Sequence, residues 1–478
     1  MTASNTTGSG RIDTFFELSA RGSTVGAEIR GGLVTFIAMA YIIVLNPIIL
    51  SGSADVAGNK LEFAQVSAVT SLAAGVMTIL FGVIARLPFA FAAGLGINSF
   101  LATTVVGSVT WPEAMGLVVI DGLIIVLLAA TGLRRLVFDA VPMELKLAIT
   151  AGIGLFILFI GLVDTGFIGS TGQPSPPVGL GSGGTGSINT VPTVVFVVTL
   201  LLTGILVVRK VRGGILIGLV AGTVVAMVVE AIWHLGPAIE RPGGWSLSVP
   251  TLSGSPFALP DLSLVGEFSL SSFSRIGVLA AVMLVFTLVF ANFFDAMGTM
   301  TGLSREAGLS DEQGNFPRLR SALIVEGAGA VAGGGVSASS NTVFIESAAG
   351  IEEGARTGLA NLVTGALFLA AMFVTPLASI VPSEVAAAAL VIVGVMMVSQ
   401  VRHIDLSEFS VALPVVLTVA TMPFSYSIAN GIGVGFIAWV VVRSAIGKGR
   451  EISPLLWVVA AGFLVYFARE WIESLFVM

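Results

Sequence analysis

Apolar residues along this chain fall in blocks of roughly 17 to 22, each long enough to cross about 30 Å of hydrocarbon as a helix. They run from Ile29 to Leu50, Val66 to Ile84, Met143 to Leu162, Thr193 to Val208, Ile215 to Ile232, Ile276 to Phe294 and Ala386 to Val401. Barrel strands would instead read as segments of about 10 residues with alternating polarity. The pattern predicts an all-α polytopic membrane protein with about fourteen transmembrane helices. Pro454 to Phe467 reads as an extra span, the last span or an interfacial helix, and its aromatic residues from Trp457 onward suit an interface anchor. Two polar connections interrupt the blocks. Residues 164–190 are rich in Gly, Ser and Pro, residues 234–274 are irregular, and both read as flexible or loosely packed surface without chemistry.

Composition narrows the classes. Hydrophobic residues make up 55% of the chain and charged residues 10%, far from a soluble domain. Cysteine is absent, which excludes disulfides and thiol chemistry, and two histidines, His234 and His403, are too few for a histidine-rich metal site. The first 28 residues are polar and contain no short apolar core before a small-residue cleavage site, so insertion is expected to begin at the first span. Arg and Lys gather in alternate connections: Arg86; Arg134, Arg135 and Lys146; Arg209, Lys210 and Arg212; Arg305, Arg318 and Arg320; Arg356; Arg402; Arg443, Lys448 and Arg450. That bias predicts a cytoplasmic N-terminus in a multi-pass protein of the inner or plasma membrane. The net charge of −6 does not bear on it, because acidic residues contribute little to the rule.

Carboxylates inside apolar blocks carry the functional signal. An ionised carboxylate at bilayer depth is costly, so such groups face a cavity and mark a solute or ion path. Asp295 lies in FFDAMGT and Glu346 in NTVFIES. Both motifs sit near glycine breaks. Leu87 to Val106 and Gly333 to Gly350 read as two short, glycine-interrupted segments at corresponding positions of two halves, with Asn98 and Glu346 just after the breaks. Broken helices of this kind hold the binding site in transporters built from inverted repeats. The alternative is that the glycines only allow close helix packing. A weak repeat supports the first reading: Val141-Pro142-Met143-Glu144, Val191-Pro192 and Arg212-Gly213-Gly214-Ile215 are echoed by Val381-Pro382-Ser383-Glu384, Leu413-Pro414 and Asn430-Gly431-Ile432-Gly433. Asp121 and Glu326, also in apolar blocks, read first as structural hydrogen-bonding groups and second as secondary proton groups. Glu352, Glu353 and Arg356, and Asp311-Glu312 with Arg318 and Arg320, read as solvated connections.

Four stretches in order, VGAEIRGGLVTFIAMAYIIVLNP (25–47), FFDAMGTMTGLSREAGL (293–309), SNTVFIESAAGIEEGARTGL (340–359) and MPFSYSIANGIGVGF (422–436), resemble the AzgA-like branch of purine permeases in the nucleobase:cation symporter-2 family. The resemblance implies import of purines such as adenine, guanine and hypoxanthine by proton symport, on a fold like that of the bacterial uracil transporter. That fold has two inverted seven-helix repeats, divided into a substrate-carrying core and a gate, with an elevator-like core movement and homodimerisation through the gate. Mapped onto this chain, it implies a cytoplasmic segment 1–28, first-repeat helices 29–163 (core, entering the gate), the loop 164–190, gate helices 191–233, an extracytoplasmic loop 234–274, second-repeat core helices 275–376, and gate helices with the C-terminus over 377–478. The family's acidic residues match Asp295 and Glu346, and its span-three Asn matches Asn98. Two departures stand out: Asn292 where many relatives have Asp, and Ser337-Ala338-Ser339-Ser340-Asn341 where they have a shorter Thr-rich stretch.

The chemistry suits a purine on its own terms. A flat heterocycle needs a few placed polar groups on an apolar wall. A carboxylate accepts from ring N–H and amino donors, and an amide both donates and accepts. The expected substrate-binding residues are Asp295, Glu346, Asn98, Phe294, Phe344, Gly96, Ser340 and Asn341, with Asp295 or Glu346 carrying the coupled proton; Phe89 and Phe91 are further candidates for ring stacking. No catalytic residue, metal, cofactor or nucleic-acid partner is expected. The partners that the resemblance implies are the nucleobase, protons, the lipid bilayer and a second copy of the chain. The alternatives are a pyrimidine, xanthine or anion carrier on the same fold, a channel, or an intramembrane aspartyl hydrolase; two in-span carboxylates would repel an anion.

Overall fold

The first apolar block folds as two helices rather than one in the computed structural model, which describes residues 10–133, 140–251, 255–310 and 316–477, with side chains as far as residue 468. After a short α1 (Arg11–Phe16), α2 (Val25–Met39) starts where the Thr24 hydroxyl accepts from the Ala27 N–H, and it gives way at Ala40–Tyr41 to α3 (Ile42–Gly52). Pro47, inside α3, cannot donate to the Ile43 carbonyl. The Ser67 hydroxyl takes that carbonyl instead, at 3.0 Å.

The chain continues through α4 (Phe63–Ile84), β1 (Phe91–Ala93), α5 (Leu95–Phe100) with a π turn at Leu101–Val105, α6 (Trp111–Thr131), α7 (Met143–Asp164), β2 (Ile168–Ser170), β3 (Val178–Leu180), α8 (Val191–Val208) and α9 (Gly214–Trp233). Then come α10 (Ser272–Ile276), α11 (Val278–Glu306), α12 (Leu319–Gly335), β4 (Asn341–Val343), α13 (Ser347–Glu352), α14 (Leu359–Ala371), α15 (Thr375–Ala378), α16 (Ser383–Val398), α17 (Phe409–Phe424), α18 (Ile428–Ala445) and α19 (Pro454–Val477). Among the described residues, 10 helical stretches are long and apolar enough to cross a membrane, alongside the shorter apolar helices Leu95–Val105, Phe409–Phe424 and Pro454–Ala468. This is fewer than hydropathy predicts: the two glycine-interrupted segments divide into strand and short helix instead of crossing in one piece, and α12 (17 residues) and α17 (16 residues) are shorter than the other spans.

Those two breaks meet. β1 pairs antiparallel with β4, Phe91 facing Val343, Ala92 facing Thr342 and Ala93 facing Asn341. All six residues are buried. Backbone that leaves the helix at membrane depth must find partners within the protein, and each break supplies them for the other. The turn out of α12 places Ser337 and Ser339 in the left-handed region, a strained conformation for a side-chain-bearing residue. Around this centre α6 packs on α12 and α4 on α14, while α7 packs on α16. In that last pair a Cβ on Gly154 would lie 2.8 Å from the Gly394 carbonyl oxygen, so only glycine allows the approach.

The two polar connections are better ordered than their composition predicts. Residues 164–190 contain the β2–β3 antiparallel pair. From the second connection, Trp245 is fully buried and its Nε1 donates to Glu230 Oε2 at 2.9 Å, while Glu384 accepts from the Ser246 N–H at 2.9 Å and its hydroxyl at 2.8 Å. A large apolar ring and two helix-end carboxylates fix a loop that Gly, Ser and Pro content makes look loose. Arg356 is also less free than a solvated connection, since its N–H donates to the fully buried Glu28. Lys146 lies buried in the first turn of α7 rather than in the preceding connection. Arg134, Arg135, Asp311 and Glu312 lie outside the described residues.

Candidate functional site

A cavity of about 540 Å³ opens between the paired breaks on one side and α7 with the end of α16 on the other. The sequence dictates its walls. On α11, Asp295, Gly298, Thr299 and Gly302 follow the i, i+3, i+4, i+7 spacing of one helix face. The glycines leave that stripe open beyond the carboxylate, with no atom within 4 Å of where a Cβ would stand on either one. From the other break, Thr342, Val343, Phe344, Ile345 and Glu346 follow the strand out into the helix start.

Of the residues expected from sequence, Asp295, Glu346, Phe294, Phe344 and Gly96 come together on this cavity. Gly96 also marks where the two sides approach, since a Cβ there would meet Ile153 Cγ2 at 2.7 Å. Asn98, Ser340 and Asn341 lie behind the lining. Asn98 and Asn341 are fully buried, and their side-chain amides have no hydrogen-bond partner among the described residues. Ser340 Oγ accepts from Asn292 Nδ2 at 2.8 Å, and the same amide donates to Asp121 Oδ2 at 3.1 Å. Asp121 therefore has the structural hydrogen bond expected of it. Phe89 and Phe91 pack instead with Phe81 and Phe316, away from the cavity.

The residue missed from sequence is Tyr41. It stands at the break between α2 and α3, is fully buried, lines the cavity and donates its hydroxyl to Glu346 Oε1. One of three tyrosines in the chain, it sits in an apolar run and reads as packing; the only available signal was a hydroxyl in a span that also carries a proline, Pro47. Neither Asp295 nor Glu346 forms an ion pair among the described residues. Lys146 Nζ lies 5.5 Å from the ring centroid of Phe294, a residue of the cavity wall. No cluster of three His, Asp or Glu suited to a metal is found among the described residues. Two acceptors on an apolar, partly aromatic wall can take N–H donors from a small flat solute.

Comparison with known proteins places the chain in a family. The profile of a permease family matches residues 26–434. The guanine/hypoxanthine permease PbuG of Bacillus subtilis (strain 168) is 38% identical over 462 residues, covering 95% of this chain and 99% of that protein. This chain belongs to the permease family. The adenine permease AdeP of Escherichia coli (strain K12) is 34% identical to the permease, over 96% of each chain. The motif resemblance to purine permeases of the nucleobase:cation symporter-2 family is thus matched along some 95% of the chain. The permease is a transporter and not an enzyme, which removes the hydrolase alternative. Its fold is similar to the transmembrane domain of a cyanobacterium bicarbonate transporter, BicA, with a TM-score of 0.62 and 16% identity over 85% of this chain and 97% of that one.

Proposed function

We propose that the permease is a secondary active transporter that imports purine nucleobases, adenine, guanine or hypoxanthine, across the plasma membrane by proton symport. The observation that carries the reading is the pair of carboxylates, Asp295 and Glu346, on one apolar cavity wall with no ion-pair partner among the described residues. A purine edge brings ring N–H and amino donors to these acceptors, and Phe294 and Phe344 offer surfaces for its faces. Gly96 lets the solute approach the backbone, while Ser340, bonded by Asn292, lies behind it beside the unpartnered amides of Asn98 and Asn341. One of the two carboxylates carries the coupled proton, so that neutral solute and proton enter together and the loaded cavity holds one carboxylate charge rather than two. Bicarbonate, the solute named for BicA, is an anion; two carboxylates facing the cavity would repel it, which favours a neutral base here.

In the same reading the chain forms two inverted seven-helix repeats. The meeting of the two breaks at β1–β4 supports this, as do the shorter apolar helices and the glycine-rich α12, which raise the span count toward fourteen. Residues 275–376 and most of 29–163 form a moving core, 191–233 and 377–478 form the gate, the N-terminus is cytoplasmic, and two copies associate through the gate. The test is uptake of radiolabelled adenine, guanine, hypoxanthine and uracil into purine-transport-deficient cells, with wild type and Glu346→Gln, with and without a protonophore. Purine accumulation lost in the variant and with the protonophore is the expected result. Absence of purine uptake by well-expressed wild type overturns the reading.

A further inference from the structure

We propose that Tyr41 is a positioning residue for solute binding: its hydroxyl occupies Glu346 Oε1 and leaves Oε2 as the acceptor for an N–H of the bound base. This rests on the purine-carrier reading above and names a residue that reading does not use. Tyr41 is fully buried, both residues line the cavity, and the hydroxyl and carboxylate are hydrogen-bonded across 305 positions of sequence. A glutamate side chain has several rotamers, and holding it in one removes part of the ordering cost of binding.

The surrounding packing places the two residues in one unit. Ahead of Tyr41, α2 lies against α13: a Cβ on Gly31 would fall 2.8 Å from the Gly350 carbonyl oxygen, and one on Gly350 would fall 2.5 Å from the Gly31 oxygen. Glu28 on α2 accepts the N–H groups of Arg356 at 2.9 Å, Thr357 at 3.4 Å and Ala360 at 3.2 Å, beyond the end of α13. After Tyr41, Asn46 Nδ2 donates to the Ala338 carbonyl at 3.0 Å, just ahead of β4. The stretch that bears Tyr41 is therefore tied to the stretch that bears Glu346 on both sides of their contact. The Tyr41–Glu346 bond persists while that unit moves, so it acts on affinity and not on the rate of the transport cycle.

The choice of a phenol is also chemical. Its hydroxyl donates to a carboxylate and accepts from a carboxylic acid, so the contact survives whether or not Glu346 holds a proton. A lysine or arginine in its place would form an ion pair and fix the charge. The hydroxyl stays neutral and leaves Glu346 free to change protonation state.

The test is the concentration dependence of initial uptake, for the purine the wild type carries, in wild type and Tyr41→Phe at equal amounts in the membrane. Removing one hydrogen bond to a charged group predicts a rise in KM of about ten-fold, with Vmax kept within about two-fold. An unchanged KM, or a fall in Vmax alone, overturns the assignment. Should Tyr41→Phe reach the membrane poorly, equilibrium binding of the same purine to its monodisperse, detergent-purified fraction gives Kd, to be judged by the same ten-fold expectation. If wild type carries no purine, the proposed function fails and this assignment with it; if wild type carries one and Tyr41→Phe matches it, only the assignment to Tyr41 fails.

Discussion

At the β1–β4 contact two distant stretches of chain leave the helix and pair as strands, whereas α7 and α16 run past each other unbroken, with the Gly154 and Gly394 backbones nearly touching. Both regions are apolar, glycine-containing and buried. In the helix pair every interior backbone group is satisfied along its own helix, so glycine serves only packing. At the breaks the backbone is satisfied by the opposite strand, and polar side chains remain: Asp295 and Glu346 on the cavity, Asn98 and Asn341 behind it without partners among the described residues. The lesson is that glycine at membrane depth has two uses, and the polar residues beside it tell which one applies.

The sharpest way to break this comparison is to alter each region and read transport and stability separately. Asp295→Asn and Glu346→Gln keep shape and remove the charge. Each is expected to cut purine uptake by over about 100-fold, on the scale of losing a charged hydrogen bond and the coupling group together, while the melting temperature in detergent stays within about 2 °C, the shift expected of about 2 kcal/mol in a chain of this size. Gly154→Val should do the reverse in kind. Its new Cβ would meet Met397 Cβ at 2.5 Å and the Gly394 oxygen at 2.8 Å, which forces the helices apart at about 3 kcal/mol or more. Thermal unfolding of purified protein checks it; a Gly154→Val protein as stable as wild type would show that the α7–α16 approach is looser than described.

These particulars also explain what sequence could and could not disclose. Asp295 and Glu346 were legible because a carboxylate in an apolar run is conspicuous whatever it touches. The breaks were legible because Gly94, Gly96 and Gly333 to Gly335 interrupt such runs. Tyr41 was not, since a tyrosine among apolar residues looks like packing until its partner is known, and the partner is 305 residues away. The Asp121–Asn292–Ser340 chain was hidden for the same reason: three elements contribute one residue each. Trp245 was misjudged because loop composition says nothing of a carboxylate such as Glu230 waiting at a helix end.

A smaller effect sharpens the comparison at the first span, where the chain also bends but opens no strand. Ser67→Ala leaves the Ile43 carbonyl without the hydroxyl that replaces the missing Pro47 donor. A buried acceptor left unpaired predicts a loss of about 1 to 2 kcal/mol. Because α3 follows Tyr41 directly, a modest rise in KM should accompany it. Ser67→Thr, which keeps the hydroxyl, should recover most of the stability; equal losses in both variants would mean that volume and not the hydrogen bond matters there.

The smallest effect sets the baseline, in an ion-pair cluster near the N-terminus. Glu17 adopts a left-handed conformation after α1 and bonds Arg21 at 2.8 Å, Arg318 at 3.3 Å and Arg86 at 3.5 Å. Partial burial works to raise its pKa, but the hydrogen bond and charge of Arg21, with those of Arg318, outweigh this and hold it below the usual glutamate value. A carboxylate lowered in the folded state adds stability that is fully present above its unfolded pKa, about 4.3, and that disappears as pH falls through the lower folded value. The Glu17 side chain is 37% exposed, so solvent screening limits the contribution to about 0.5 kcal/mol. Glu17→Gln should therefore lower stability slightly at pH 7, less in high salt, and converge on wild type as pH drops below about 4. Its KM should not move. A deficit that persists undiminished in acid would show that the Gln side chain disturbs packing, and a change in KM would mean that this cluster at the N-terminal face is coupled to the cavity after all.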